Sequence, residues 1–396
     1  MERPYRINAQ KLKEAAAGYW PAIFADLAPQ LRTAVEKSQQ KRNPPHVPRP
    51  DHAGGKDGFR FLKDWQETGA AVLNQTLDQH DAKLAKQGSH GYVLTGGLDT
   101  LMWVNHWSFP EALQQVNKWL GGSEEETVEV SEAQKRRNEE IARQKAEEKR
   151  KQDEYTQKRL NELWGQKSIA LTDPGGSVGI AYFQNRGIHL QQWPDVCRVV
   201  HDLTYYCGER EEFTGTYPAI VSLFCQHDGQ PATLHRIFLE QDGSDKAPEQ
   251  TSKKLASYPS WKDIRGGAIP LFGPRPGDGD LHVGEGIETM LAVRMALQEL
   301  AVTWAAGTAG SLASFTPPSW VKRLIIWADL DLSQTGEREA DTLARRMAEI
   351  GLPVYVIIPG DQPPPGQKSY DWLDVLRDYG PQAIAYAHQQ FVPEPR

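Results

Sequence analysis

The pattern of hydrophobic and polar positions divides the chain into four regions. Residues 1–122 are mixed and close on a helical pattern, FPEALQQVNKWLGG, which its final glycine pair terminates. Residues 123–167 are dominated by charged positions. Residues 168–275 contain short alternating runs typical of strands, and residues 276–396 alternate apolar runs with helical patterns. The pattern predicts a small N-terminal module, a helical linker, a mixed strand and helix subdomain and an α/β domain.

The linker region predicts one long charged helix. From about 129 to 164 it contains no Gly or Pro, and many Glu/Lys and Glu/Arg pairs stand at helical spacing. Its apolar positions are too sparse for a coiled-coil seam. At about 1.5 Å per residue, such a helix would be about 50 Å long. A solvated spacer helix is the favoured interpretation. A nucleic-acid-binding arm is the alternative, which the nearly balanced charges weigh against.

The two C-terminal regions predict two kinds of sheet. The runs YPAIVSLFCQ and ATLHRIFLEQ flank a DG pair, which is a signal for an antiparallel hairpin. The last region repeats strand and helix units, from GDLHVGEG through LPVYVIIPG to YDWLDVLRDYG. Strands separated by helices indicate a parallel α/β sheet, so the fold class is α/β within an α+β chain. Ligands of such sheets bind beyond the carboxyl ends of the strands.

Carboxylates stand at those strand ends. Glu285 follows the apolar LHV between two glycines, and Asp329 and Asp331 follow the apolar RLIIWA. Alternate residues at a strand end point to one side, so the two aspartates can share a metal ion. Mg²⁺ prefers oxygen ligands and binds one or two carboxylates together with substrate phosphates. Helix caps or turn residues are the alternative for each acid. Their occurrence at successive strand ends favours a magnesium site for nucleotide or nucleic-acid phosphates.

Composition narrows the class of protein. The charged content is 24% and the formal net charge is −7, which counts against a protein that coats DNA but not against an enzyme that meets nucleic acid through a metal. No apolar run approaches the roughly 20 residues that span a bilayer, and the start has no signal-peptide pattern. The cysteines Cys197, Cys207 and Cys225 have no CxxC spacing. A cytoplasmic protein without disulfides or a membrane span is the expectation.

Three motifs in order carry a resemblance to a known family. GEGIET, WADLDLSQTG and YDWLDVL resemble the Toprim domain over about 280 to 376, and more narrowly the Toprim-containing primases of plasmids, satellite phages and integrative elements. The resemblance implies that Glu285 is a general acid/base or a glutamate on the metal side of the site. It also implies that Asp329 and Asp331 are metal ligands.

The third motif and the first helix turn add further acids. The resemblance implies that Asp371 and Asp374 support a second metal ion, although Leu373 replaces the usual Asn between them. Glu288 lies four residues after the start of GEGIET. An acid in the first turn of a helix favours the helix dipole, so capping is the interpretation of Glu288.

A basic stretch precedes the acidic motifs. LHRIFLEQDGSDKAPEQTSKK resembles the segment before Toprim in primases, where a basic strand and a lysine loop contact nucleotide and template. Arginine can hold phosphate bidentately, whereas lysine acts as a point charge. An exposed charged loop is the alternative, and His235 is interpreted as a partly buried strand residue. The implied nucleotide- or DNA-binding residues are Arg236, Lys246, Lys253 and Lys254.

The N-terminal module resembles a primase zinc ribbon that has lost its ligands. RPDHAGGKDGFRF and GAAVLNQT follow the family pattern CPxHGGKDxFRF and CNxC. The four ligand positions are occupied by Arg49, His52, Leu73 and Thr76. Only His52 could still bind zinc, and a structural Zn²⁺ needs four Cys or His ligands. We therefore predict no zinc, with the fold of the module maintained by packing.

The resemblance leads to one main functional hypothesis. It implies a DNA primase that makes short RNA primers from NTPs on single-stranded DNA with Mg²⁺ or Mn²⁺, by two-metal phosphoryl transfer. No GxxxxGK[ST] motif is present, so a separate helicase would act with it. A Toprim nuclease or topoisomerase-like enzyme is one alternative. A catalytically silent DNA-binding or assembly partner in replication or conjugation is the other.

Overall fold

The chain folds into two compact units, residues 1–147 and 148–396. The boundary between them falls inside one helix. The computed structural model describes residues 7–39, 44–50, 58–74, 84, 86–88, 91–123, 132–207, 212–249, 251–307 and 309–393.

The N-terminal unit combines short helices with a small antiparallel sheet. Strands β1 to β4 are hydrogen-bonded in the order β1-β2-β4-β3. Ser108 and Glu111 form a capping box that starts the last of the short helices, at the position that the FPEALQQVNKWL pattern predicts. The helices are α1 (Ala9–Ala16), α2 (Trp20–Leu27), α3 (Arg32–Ser38), α4 (Trp65–Thr68), α5 (Gly97–Asn105) and α6 (Phe109–Trp119). The strands are β1 (Phe59–Phe61), β2 (Ala71–Leu73), β3 (Lys86–Gly88) and β4 (Gly91–Leu94).

Stacked aromatic rings fill the core of this unit. Phe61 lies 4.2 Å from Trp65 and 5.5 Å from Phe24 between ring centroids, both in stacked geometry. Phe59 stacks on Trp103 at 5.5 Å. All five side chains are buried. A core of this kind stabilises the unit through apolar area and ring packing.

The predicted charged helix is present as α7 (Glu132–Glu162). Its C-terminal half differs from the solvated spacer that the sequence predicts. Asp153 and Leu160 are buried, and Asp153 accepts hydrogen bonds from the backbone and hydroxyl of Ser260 at 2.9 and 2.6 Å. Beyond the helix, the Arg198 guanidinium lies 5.3 Å from the Trp164 ring. This half of the helix belongs to the second unit and packs within it through a few inward-facing positions, although most of its surface is charged.

An antiparallel sheet opens the second unit. Its five strands are ordered β5-β6-β7-β8-β9. The predicted hairpin is confirmed: β7 and β8 pair antiparallel around the Asp228-Gly229 turn, where Gly229 has a φ of 82°. The strands are β5 (Ile169–Ala170), β6 (Cys197–Cys207), β7 (Glu212–Cys225), β8 (Pro231–Phe238) and β9 (Lys253–Leu255), and helix α8 (Ser177–Asn185) lies between β5 and β6 in the chain.

A parallel sheet in the order β11-β10-β12-β14 follows, which confirms the α/β fold class. A separate two-stranded ladder pairs β13 with β15. The strands are β10 (Asp280–Gly284), β11 (Thr303–Ala305), β12 (Arg323–Trp327), β13 (Leu330–Asp331), β14 (Val354–Ile357) and β15 (Ser369–Tyr370). The helices are α9 (Ile287–Ala296), α10 (Ala309–Ser314), α11 (Thr335–Glu349), α12 (Trp372–Tyr379) and α13 (Pro381–Phe391).

The two sheets of the second unit are joined by a short connecting segment. Ala268 bridges to Cys225 at the end of β7, and Ile269 bridges to Ala305 at the edge of the parallel sheet. One hydrophobic core contains residues of both sheets, including Ile220 and Trp327. Elements of the antiparallel sheet are thereby held against the parallel sheet. Among the described residues, no helix is long and apolar enough to cross a membrane.

Candidate active site

Two predicted acids follow neighbouring strands of the parallel sheet. Gly284 at the end of β10 is paired with Trp327 at the end of β12. Glu285 and Asp329 therefore both lie just beyond the carboxyl ends of these neighbouring strands. Gly284 is required here, because a Cβ atom would lie 2.7 Å from Met290 Sδ and 2.9 Å from the Trp327 carbonyl oxygen. The glycine lets the chain turn without displacing the strand that carries Asp329.

The β13–β15 ladder brings a third acid to this edge. Leu330 pairs with Tyr370 in antiparallel register, so the next residue outward on each strand is Asp329 and Asp371. Burial raises the pKa of Asp329 well above its usual value, and the charges of Asp371 and Glu285 raise it further. The three carboxylates therefore interact within one partly buried site.

One carboxylate oxygen in this site lacks a partner. Asp329 Oδ1 is shielded from solvent and accepts no hydrogen bond in the described part of the chain. A buried polar atom of this kind costs free energy unless something binds it. Carboxylate oxygens are the ligands that Mg²⁺ and Mn²⁺ prefer, so the residues fit such an ion. No three His, Cys, Asp or Glu side chains of the described residues are already arranged around one coordination point.

Asp331 is engaged differently from Asp329. Its carboxylate accepts hydrogen bonds from the backbone N–H groups of Ser333 (2.8 Å), Thr335 (3.2 Å) and Gly336 (3.0 Å), and from the Ser333 hydroxyl. Burial acts against the charged form, but these hydrogen bonds outweigh it and lower the pKa of Asp331. In this conformation Asp331 holds the first turn of α11, and its role as a metal ligand stays a prediction.

Asp374 also has a capping role. Asp374 N–H donates to Asp371 Oδ1 at 2.9 Å, and Asp371 N–H donates to Asp374 Oδ2 at 3.1 Å, which forms a capping box at the start of α12. Leu373 between them is buried in the core. An apolar residue at that position packs instead of contributing a polar group to the site.

Three of the four predicted basic residues lie in strands of the antiparallel sheet, and Lys246 lies in the connection between β8 and β9. In the register of β8 and β9, Lys253 lies opposite Ile237 and Lys254 lies opposite Arg236. The neighbouring lysines therefore point to opposite faces of the sheet. Lys254 Nζ lies 3.8 Å from the centre of the Tyr205 ring, and Arg236 donates to the Leu255 carbonyl at 2.9 Å. Lys253 and Lys246 instead approach Glu288 in the parallel-sheet region. The structure thus brings together two of the four.

Glu288 is a buried ion-pair residue whose role the sequence interpretation missed. Lys253 Nζ lies 3.0 Å from its Oε2, the Tyr182 hydroxyl donates to Oε1 at 2.8 Å, and Lys246 Nζ lies 4.0 Å from Oε1. Burial acts to raise the pKa of Glu288, but the two lysines outweigh burial and hold it well below its usual value. Glu288 is therefore charged. The signal in the sequence was weak because its partners lie 35 and more residues away.

His235 lies in the interior of the antiparallel sheet, as the sequence predicts. Burial lowers its pKa to about 4, and the charge of Lys253 acts in the same direction. The imidazole is therefore neutral at physiological pH.

The degenerate zinc-ligand positions can be placed only in part. Arg49 is buried with its guanidinium 5.5 Å from the Trp103 ring, and Leu73 is buried in β2. His52 and Thr76 lie outside the described residues. The side chains at two of the four positions are thus packed in the interior, and the expectation of no zinc stays a prediction.

Comparison with known proteins now assigns the acidic region. The sequence profile of the Toprim domain matches residues 280–382. This region is a Toprim domain. The match contains Glu285, Asp329 and Asp371 and confirms the resemblance carried by GEGIET, WADLDLSQTG and YDWLDVL. A domain of unknown function matches residues 154–266, which contain the antiparallel sheet up to β9. No curated protein sequence matches the chain.

Similar solved structures include primases. A DnaG catalytic core shares 12% identity, with 60% of this chain and 79% of that chain covered and a TM-score of 0.41. The zinc-binding and RNA polymerase domains of Aquifex aeolicus primase share 12% identity, with 87% and 77% covered and a TM-score of 0.36. The E. coli primase catalytic core shares 12% identity, with 56% and 75% covered and a TM-score of 0.34.

Proposed function

We propose that the chain is a primase-type nucleotidyltransferase that makes short RNA primers from NTPs on single-stranded DNA. The supporting observation is the partly buried group of Toprim carboxylates, Glu285, Asp329 and Asp371, with a partnerless oxygen on Asp329. Lys246 and Lys253 approach the neighbouring Glu288 from the preceding region of the chain. Carboxylates that fit divalent cations, set beside lysines, form a suitable environment for a nucleoside triphosphate.

Each predicted residue has a role in this proposal. Bound Mg²⁺ or Mn²⁺ would supply positive charge against the triphosphate. Glu285, Asp329 and Asp331 would hold it, with Asp371 and Asp374 as candidates for a second ion. Three of these carboxylates already accept cap hydrogen bonds: Asp331 from Gly336 N–H, Asp371 from Asp374 N–H and Asp374 from Asp371 N–H.

The basic residues divide by face. Lys246, whose side chain is about one-third exposed, would contact nucleotide phosphate from the side of the acids. Arg236 and Lys254 lie on the other face of the antiparallel sheet and would contact DNA there. We also propose that the chain is divided into four regions, with boundaries at residues 122, 167 and 275.

The cellular setting follows from the same proposal. A separate replicative helicase would supply strand opening, and the reaction would take place in the cytoplasm as part of plasmid, phage or integrative-element replication. We propose no zinc for the N-terminal module. Two of its four ligand positions carry Arg49 and Leu73, whose side chains are buried and cannot bind zinc.

Primer synthesis tests the proposal directly. The full chain is incubated with single-stranded DNA, labelled NTPs and Mg²⁺ or Mn²⁺, and short RNA products are resolved on a gel. We expect products that depend on metal and disappear in Asp329→Asn. Products that persist in Asp329→Asn would overturn the site. Metal-dependent cutting of the DNA without synthesis would identify a nuclease, and DNA binding with neither activity would identify a silent partner protein.

A further inference from the structure

Glu288 connects the two sheets of the second unit by charge. It lies in the first turn of α9, within the Toprim domain. Its three partners, Tyr182, Lys246 and Lys253, all belong to residues 154–266. The Glu288 side chain is only 5% exposed, whereas the Lys253 and Lys246 side chains are 37% and 30% exposed.

Lys253 has acids on more than one side. Its ammonium contacts Glu288 at 3.0 Å, and the charges of Asp371 and Asp329 also interact with it. An ammonium whose charge acts on these carboxylates as well as on Glu288 has two groups of acids to pair with. It can pair with Glu288, or it can pair with the carboxylates and compete with a cation for their oxygens.

We propose that Glu288 is a positioning residue that restrains the Lys253 ammonium and so keeps Asp329 and Asp371 available for a divalent cation. The geometry supports this, because Glu288 Oε2 accepts a hydrogen bond from the Lys253 ammonium while Oε1 accepts one from the Tyr182 hydroxyl. The Arg186 guanidinium lies 4.9 Å from the Tyr182 ring and pairs with Asp245. Glu288 is thus held by its own partners and does not need the metal to stay in place.

Binding of Mn²⁺ to the full chain, without NTP or DNA, tests this inference. Free Mn²⁺ is measured by electron paramagnetic resonance, and the binding that Asp329→Asn removes defines the site. The inference rests on the proposed metal site but not on primer synthesis. If the variants change Mn²⁺ binding as predicted but the protein makes no primers, only the proposed function is refuted. If no Mn²⁺ binds at Asp329, both this inference and the proposed function are overturned.

A double-mutant cycle between Glu288 and Lys253 gives the decisive readout. In Glu288→Gln the released ammonium should weaken Mn²⁺ binding about 10-fold or more. Adding Lys253→Gln should restore binding to within about 3-fold of the wild type, although Lys253→Gln alone changes it by less than about 3-fold. If Glu288 were itself a metal ligand, Lys253→Gln would have the same effect in both backgrounds, and this additivity would overturn the inference.

Lys254→Gln is the matched control, because it removes the same charge one residue away on the opposite face. Lys254→Gln should not restore Mn²⁺ binding in the Glu288→Gln background. Restoration by Lys254→Gln would show that the effect depends only on net charge, which would overturn the inference. Thermal unfolding and circular dichroism check the fold of each variant. If Glu288→Gln alone does not fold, the double variant is compared with Lys253→Gln. Agreement within about 3-fold supports positioning, and a loss above about 10-fold refutes it.

Discussion

The N-terminal module and the Toprim domain differ at the positions where their family patterns have metal ligands. In the module, Arg49 lies against the Trp103 ring and Leu73 is buried among apolar side chains, both at positions where the zinc-ribbon pattern has ligands. In the Toprim domain, Asp329 is a partly buried carboxyl with a shielded, partnerless oxygen, and the charges of two other acids act on it. One region has buried, packed side chains at these positions, and the other contains a polar atom that packing does not satisfy.

This difference indicates where function is retained. Replacing polar groups by apolar groups of suitable shape is close to neutral or stabilising, whereas leaving a buried carboxyl without a partner is costly. A cost of this kind is expected at sites that bind a ligand or an ion. The described part of the N-terminal module is maintained by packing, and the Toprim carboxylates are where we propose that the chemistry takes place.

Asp329→Asn tests the comparison most strongly. The substitution keeps the shape but removes a charge that the metal needs, so primer synthesis should fall about 10³-fold or more. The free energy of unfolding should stay the same or increase, because a crowded carboxylate is removed. Kinetics and thermal unfolding of the same preparation measure both. A variant that loses stability and activity together would indicate that Asp329 is structural.

Phe61→Ala probes the packed region. The ring is buried between Phe24, Phe59 and Trp65, and its removal should lower the free energy of unfolding of that unit by about 3–5 kcal/mol. Hydrogen exchange of residues 59–73 reports this locally, with Phe61→Leu as the milder control. A zinc chelator should leave the exchange of wild-type protein unchanged. Faster exchange with the chelator would show that a metal still holds the module.

Acid pH should reveal the cost of buried polar groups near the Toprim site. His282 is buried, and its Nδ1 accepts a hydrogen bond from Trp327 Nε1 at 3.0 Å. Burial lowers its pKa to about 3. The unfolded chain therefore takes up a proton first as pH falls below about 6.5, and stability is lost between there and the folded pKa. Between pH 7 and pH 4 the loss is about 3 kcal/mol.

His282→Gln provides the comparison for that pH series. A glutamine side chain does not titrate in this range, so the free energy of unfolding of the variant should depend less on pH than that of the wild type. Denaturant unfolding at pH 7, 6, 5 and 4 measures the two slopes. Equal slopes would exclude His282 as the source.

Asp374→Ala gives the smallest expected effect and tests whether Asp374 acts mainly as a helix cap or as a ligand of the second ion proposed above. Loss of the capping box should lower the free energy of unfolding by about 1 kcal/mol. Primer synthesis should fall less than about 10-fold, far below the effect at Asp329. Denaturant unfolding and initial rates measure the two. A loss comparable to that of Asp329→Asn would instead make Asp374 a metal ligand.

The sequence predicted much of the fold through local patterns. The Asp228-Gly229 hairpin and the strand-helix repeats of the parallel sheet follow from turn chemistry and hydrophobic period. The position of Glu285 and Asp329 at one edge followed as well, because each acid directly ends a buried strand. These features depend on residues close together in the chain, which a single sequence displays.

The roles of individual acids were less predictable. DxD spacing did not show that Asp331 would be engaged by three backbone N–H groups while Asp329 would keep an unbonded oxygen. The docking of α7 was also missed, since only a few of its positions, such as Asp153 and Leu160, are buried. Charge-rich composition conceals such contacts.

By itself, the sequence determined the order of the elements, the Toprim motifs and which strand ends carry acids, since these depend on local period and turn residues. Only the tertiary structure decided that Lys253 and Lys254 face opposite ways relative to the acids and that Glu288 pairs with Tyr182 and Lys253. Strand register and sheet packing set those contacts across 35 to 106 residues of chain. Electrostatic partners are fixed by distance in space, which residue spacing does not specify.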